Sequence, residues 1–186
     1  MHPILRITVV LCAITIATFA TPQPAHAQAP VGLMGDLLKD VTDLETKIID
    51  LAKALPEPAY AWRPMEGVRS TGEVFQHIAA DNYFMPALMD IPAPKETGIT
   101  SDYPTASAFE KRPMSRAAVL AELQKSFAFL RSSMTGATDA QLTTAFGQRK
   151  TTGRALWIAT ATHLHEHLGQ LIAYARANKV VPPWSK

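Results

Sequence analysis

The stretch from His163 to Arg176 limits the fold of this chain more than any other. Leu164, Leu168, Leu171 and Ile172 recur at the i, i+4, i+7 and i+8 positions of an amphipathic helix. Residues four apart on such a helix are neighbours, so His163 and His167 project side by side. Two imidazoles held this way can grip one divalent ion, whose ligand nitrogens must converge to about 2.0–2.2 Å. His165 lies roughly 200° around the helix from His163 and points elsewhere. Taken alone, an i, i+4 His pair also occurs on solvated helix faces and as hydrogen-bonded core pairs. The distribution of the six histidines shifts that balance. His2 and His26 fall in a leader segment, and His77 is then the one histidine outside the C-terminal cluster. Three His ligands with open positions form the pattern of a catalytic zinc-type site and not of a closed structural one.

Residues Met1 to Ala27 read as a secretory signal peptide. Arg6 stands early, an apolar run extends from Ile7 to Ala20, and small residues occupy Ala25 and Ala27. The run is shorter than the about 20 residues that a spanning helix needs. Cys12, the only cysteine, lies inside it, so the mature chain is expected to hold no disulfide, thiolate ligand or Cys nucleophile. Residues 28–186 are expected to form a single domain. Losing Arg6 from the 18 Lys and Arg leaves 17 against 16 Asp and Glu, a net of about +1 that recruits neither nucleic acid nor an anionic membrane.

Helical periodicity recurs along this domain. A first helix is expected from Val31 to Leu55, with Leu33, Leu37, Leu38, Val41, Leu44, Ile48, Leu51 and Leu55 on its apolar stripe; Pro56 and Pro58 end it. The connection Ala59 to Val68 carries Trp62, Arg63 and Pro64, side chains large enough to pack down on the bundle. Ser70-Thr71-Gly72-Glu73 is a capping box opening a second helix, Thr71 to Met89, which buries Val74, Phe75, Ile78 and Leu88 and contains His77. Asp81, one turn on, is placed to orient that imidazole by accepting its second N–H. Pro86 is expected to kink the end of this helix. Four prolines and no periodicity make Ile91 to Pro113 a long loop between helices 2 and 3. Ser115 caps a third helix to Met134, with Val119, Leu120, Leu123, Phe127 and Leu130 inward. A second capping box at Thr138 to Gln141 starts a short additional helix near Asp139 to Thr144. The last helix runs from Gly153 to Asn178, where Pro182-Pro183 prevents resumption. No stretch alternates like a strand, so the expected fold is all-α, a four-helix bundle, an architecture that builds metal sites from inward side chains of facing helices.

Trp62-Arg63-Pro64, Gly67-Val68-Arg69-Ser70 followed by Gly72-Glu73 and His77, and Glu166-His167-Leu168-Gly169-Gln170-Leu171 with Tyr174, Arg176 and Pro182-Pro183, occur in the order in which they occur in the DinB/YfiT-like family. The chain resembles that family over essentially the whole mature sequence. The resemblance implies a four-helix bundle holding a divalent metal through one His of the second helix and an H-x-x-x-H pair of the last, here His77, His163 and His167. It also implies that His77 faces the other two. The family includes S-transferases and isomerases that use low-molecular-weight thiols, together with many members of unknown activity. A secretory leader separates this chain from the reducing cytosol in which such thiols are kept.

His163-Leu164-His165-Glu166-His167 also satisfies H-x-x-E-H, two His ligands and a glutamate base of a metallopeptidase. No large peptidase frame accompanies it, and H-E-x-x-H fails because Gly169 stands where the second His is required. Glu166 and Asp81 are the carboxylates expected to act as general base or as support to the ligands. Tyr174, seven residues after His167, shares its face and either lines the site or fills the core. The expected cofactor is one divalent ion, Zn, Ni, Mn or Fe, since imidazole ligation does not choose among them. Free His titrates near 6.5, so binding is expected to fade below that pH. The leading functional expectation is a metal-dependent enzyme of transferase or hydrolase type, acting on a small-molecule substrate in the periplasm or outside the cell. The alternative is a non-catalytic exported metal-binding or stress-related bundle protein. No nucleic acid and, after signal cleavage, no membrane partner is expected, and a homodimer is an open assembly.

Overall fold

The computed structural model describes residues 32–147 and 150–185. The expected signal peptide over 1–27 and the helix start expected at Val31 lie outside them. Among the described residues the helices are α1 (Leu33–Ala54), α2 (Glu57–Ala61), α3 (Thr71–Ala87), α4 (Tyr103–Glu110), α5 (Arg116–Thr135), α6 (Asp139–Thr143) and α7 (Gly153–Ala177). The four long ones, α1, α3, α5 and α7, form an all-α four-helix bundle. Both α1 and α3 pack against α5 and α7, so the four helices close around one core.

The stripes read from periodicity are the ones that meet in this core. Val41, Ile48, Leu51 and Leu55 of the first stripe, Val74, Phe75 and Ile78 of the second, and Leu123, Phe127 and Leu130 of the third are fully buried. Each such side chain contributes roughly 1.5–3 kcal/mol relative to exposure. Leu33, the first residue of α1, is exposed instead, and Leu88 lies half-buried beyond the end of α3. Local capping chemistry sets the boundaries. Ser70 Oγ accepts from the Glu73 N–H while Glu73 Oε2 accepts from the Ser70 N–H at 2.6 Å. Thr138 and Gln141 repeat the arrangement at α6. Ser115 caps α5 and Thr152 caps α7 through single bonds to Ala118 N–H and Ala155 N–H.

Gly153 opens α7 for a different reason. A Cβ at that position would lie 2.2 Å from the Gln141 carbonyl oxygen, so the end of α6 presses on the start of α7 at a distance that only glycine admits.

Three features depart from the expected outline. The long connection at 91–113 contains a 3-10 turn, Lys95–Thr97, and the helix α4. Pro104 occupies the first turn of α4, where no intrahelical N–H is needed, and Ala106 and Phe109 anchor it on α3. The connection after Pro56 holds the short helix α2, with Pro58 in its first turn, and Trp62 packs edge-on against Tyr174 with ring centroids 5.2 Å apart. A two-residue antiparallel ladder, β1 (Ala145–Phe146) with β2 (Thr151–Thr152), ties α6 to α7 and is too short to show alternation in the sequence.

Candidate metal centre

The site forms where α3 and α7 face each other. His77, in the middle of α3, and His167, in the middle of α7, are buried at 7% exposure each, while His163 is partly open to solvent. Their Nε2 atoms converge. His163 Nε2 lies 3.2 Å from His77 Nε2 and 2.9 Å from His167 Nε2, and the three rings stand at 72° to 85° to one another. His165 is exposed and pairs with Asp40 on α1 at 2.9 Å. The i, i+4 pair is therefore the one that periodicity picks out, and the partner from α3 is His77.

The outward ring nitrogens explain how the lone pairs come to face inward. Glu110 Oε1 lies 2.7 Å from His77 Nδ1, and a carboxylate there accepts the Nδ1–H. Glu110 Oε2 in turn accepts from Arg69 Nε at 3.2 Å and from a second guanidinium nitrogen at 3.0 Å. On the other ligand, Tyr174 donates its hydroxyl proton to the Arg69 carbonyl, 3.3 Å away, an atom that can only accept. The Tyr174 oxygen then accepts from Gln170 Nε2 at 3.0 Å, which leaves Gln170 Oε1 to accept the His167 Nδ1–H at 2.9 Å. In the neutral form of either ring this network puts the proton on Nδ1 and leaves a bare Nε2 facing inward. Arg69 supports both ligands, one through its side chain and the other through its main chain.

These residues fit a divalent ion. With bonds of about 2.0–2.1 Å, neighbouring nitrogens on one ion lie about 2.9–3.4 Å apart, as the two separations at His163 do. Two bare Nε2 atoms compete for the single proton that neutral His163 can offer, so one contact stays lone pair against lone pair unless a cation sits between them. The set of three His side chains is therefore one that could hold a metal ion.

Asp81 completes the cluster from α3, but not in the role expected of it. Its Oδ2 lies 3.4 Å from His77 Nε2 and 3.2 Å from His163 Nε2, the inward nitrogens, while Glu110 does the orienting at Nδ1. With Nδ1 turned to Glu110, the i+4 residue on α3 meets the ring at Nε2 instead. Glu166 stands exposed on α7, outside the converging atoms. Burial, and then the neighbouring charges of His167 and His77, push the His163 pKa down to about 4. Burial likewise lowers His167, against the bond to Gln170. Burial raises Asp81 to about 6, opposed in part by His77. Burial also pushes Glu110 up, but the His77 hydrogen bond and the Arg69 charge outweigh it and leave the carboxyl below its ordinary range. Histidines held neutral beside such carboxylates are ready ligands at neutral pH.

Glu110, Arg69 and Gln170 were not expected at the site. Glu110 carries no local signal, because α4 is hidden among prolines. Gln170 had one: it follows His167 by three residues, the spacing at which side chains on one face meet.

The Tyr174 relay gives a direct prediction. Tyr174→Phe keeps the ring that packs on Trp62 but removes the hydroxyl that holds Gln170. Metal affinity is expected to fall roughly 10- to 100-fold with helix content unchanged. Competition titration against a chromophoric chelator measures it; unaltered affinity would remove Gln170 from the support of His167.

A four-helix bundle with an open three-histidine cluster between facing helices defines a class of helical protein with a candidate metal site. The sequence profile of the DinB superfamily matches residues 42–171, a span that includes all three histidines, and the chain belongs to that superfamily. The fold is similar to that of a DinB-like protein from Bacillus cereus, with a TM-score of 0.65 and 19% identity over 81% of this chain and 95% of that one. A DinB-like protein from Bacillus subtilis gives a TM-score of 0.60 and 19% identity over 77% and 92%. At this identity the likeness is one of fold. No curated protein matches the chain significantly.

Proposed function

We propose that this protein is an exported, divalent-metal-dependent enzyme of transferase or hydrolase type. The observation that carries the proposal is the convergence of His77, His163 and His167 through inward Nε2 atoms, with His163 partly open to solvent. A divalent ion held there supplies Lewis acidity and positive charge to whatever donor occupies its remaining positions. The chain's own residues do the rest. Glu110 and Gln170 keep the ligand rings in the binding tautomer, and Arg69 fixes both supports. Asp81, whose oxygen reaches the inward nitrogens, is the carboxylate placed to take up a proton. Glu166, exposed on α7, is the more distant choice.

A small-molecule substrate suits a cleft of about 350 Å³ that borders the site through Glu110 and Arg69 and is also lined by Arg63, Tyr103 and Lys111. The near-neutral net charge gives no support to a nucleic-acid partner. The residues of the leader support export, and among the described residues no helix is long and apolar enough to cross a membrane. The test is metal analysis of the purified mature chain followed by a screen of thiol cosubstrates and hydrolysable esters and amides. Turnover that chelation abolishes and added ion restores is the expected result. One bound ion per chain with no turnover in either screen would assign the protein to the non-catalytic metal-binding reading.

A further inference from the structure

We propose that Asp81 is a fourth ligand, so that the centre presents three imidazole nitrogens and one carboxylate oxygen. The inference rests on the three-histidine reading and adds to it a donor that the histidine pattern does not contain. Two carboxylates approach His77, and they meet different nitrogens of the ring. Glu110 is at Nδ1, the position of a support that accepts a proton from the back of a ligand. Asp81 is at Nε2, the side on which the lone pair must meet the ion. Its Oδ2 lies 3.2 Å from His163 Nε2 and 3.4 Å from His77 Nε2, matching the 3.2 Å between those two nitrogens, so the three atoms form one nearly equilateral face. Nearly equal edges of that length are what ligands on a common ion show.

The chemistry of the contacts agrees. Among the described residues Asp81 makes no hydrogen bond, although its side chain is only 12% exposed. Its oxygen instead faces the bare nitrogen of His77 and the one inward nitrogen of His163, which can offer a proton to a single partner. A desolvated carboxylate against imidazole lone pairs is repulsive, and a cation between them reverses the sign of each contact. The topology repeats the arrangement on both helices: α3 supplies His77 and Asp81 and α7 supplies His163 and His167, each pair one turn apart. Binding through one oxygen leaves the other free to accept a proton from a donor in an adjacent open position. One carboxylate also lowers the net charge of a divalent centre to +1 and moves its preference toward Mn, Fe and Zn over softer ions.

The experiment uses the mature chain loaded with Co(II), whose visible bands report the donor set. Asp81→Asn is expected to lose more than the roughly 10- to 100-fold in affinity typical of supporting residues, and to shift the Co(II) bands, with helix content retained. Asp81→Cys introduces the sole thiol of the mature chain, and a thiolate-to-Co(II) charge-transfer band appears only if residue 81 binds the ion. Unchanged affinity and bands in Asp81→Asn, or no charge-transfer band in Asp81→Cys, would overturn the assignment. His163→Ala in the same titration separates the two readings. If it loses the ion while the Asp81 variants keep it unaltered, the three-histidine centre stands without Asp81; if it too keeps the ion, the centre itself is wrong.

Discussion

Replacing His163 by alanine is expected to reduce bound metal from one ion per chain to a small fraction of that. His163 is the nitrogen common to both short contacts, 3.2 Å from His77 and 2.9 Å from His167, so its removal leaves two imidazoles from different helices with no third between them. Each tenfold of affinity is about 1.4 kcal/mol, and losing a direct ligand exceeds what the supporting residues contribute. The bundle itself should survive, because His163 is partly exposed and the apolar core does not depend on it. His165→Ala is the matched control. That residue is exposed, its partner is Asp40 on α1, and an exposed pair of this kind contributes roughly 0–1 kcal/mol. Elemental analysis of the two purified variants decides the matter: equal loss from both would refute the placement of the ligands.

The second large effect is on stability and its pH dependence. An ion that binds only the folded chain raises its stability by about 2.7 kcal/mol at a hundredfold excess over Kd, which is roughly 5–10 °C in melting temperature for a domain of this size. Ordinary histidines would lose this benefit near pH 6.5. Burial changes the window. His163, lowered to about 4, stays neutral in the folded apo chain while its unfolded counterpart is already protonated, so its contribution to stability is present above 6.5 and is lost as pH falls toward 4. Asp81, raised to about 6, has the opposite sign: it favours the folded chain below its unfolded value and loses that contribution as pH rises through 6. Between about pH 4 and 6 the two push apo stability in opposite directions. The ion, by contrast, has the proton on Asp81 to displace in that range and the one on His163 as pH falls through 4. Metal-loaded and apo melting curves are therefore expected to differ fully at pH 7.5, less at pH 5, and hardly at all near pH 4. A difference already gone at pH 6.5 would mean that the histidines titrate as exposed ones. A difference undiminished at pH 4 would mean that histidine does not hold the ion.

The parts of this protein that its sequence determined are those settled within a few turns of helix. The spacing of Leu164, Leu168 and Leu171 dictates a helix and its buried face, and the same 3.6-residue period places His163 beside His167 and turns His165 away. The capping boxes at Ser70–Glu73 and Thr138–Gln141 set helix starts because donor and acceptor are three residues apart. That His77 joins them, across 86 residues, came from the family resemblance, because helix periodicity says nothing about which face meets which. Only the tertiary structure decided the surroundings of the ligands. Glu110 reaches His77 because α4 packs on α3, and α4 has just two buried positions, too few to register as a period. The carbonyl of Arg69 supports His167 across 105 residues from Tyr174, a bond to the main chain that no side-chain pattern records. Asp81 could be placed near His77 by counting, but which nitrogen it faces depends on the χ angles of the ring. Those are set by Glu110 on one side and His163 on the other, contacts that exist only once the helices have packed.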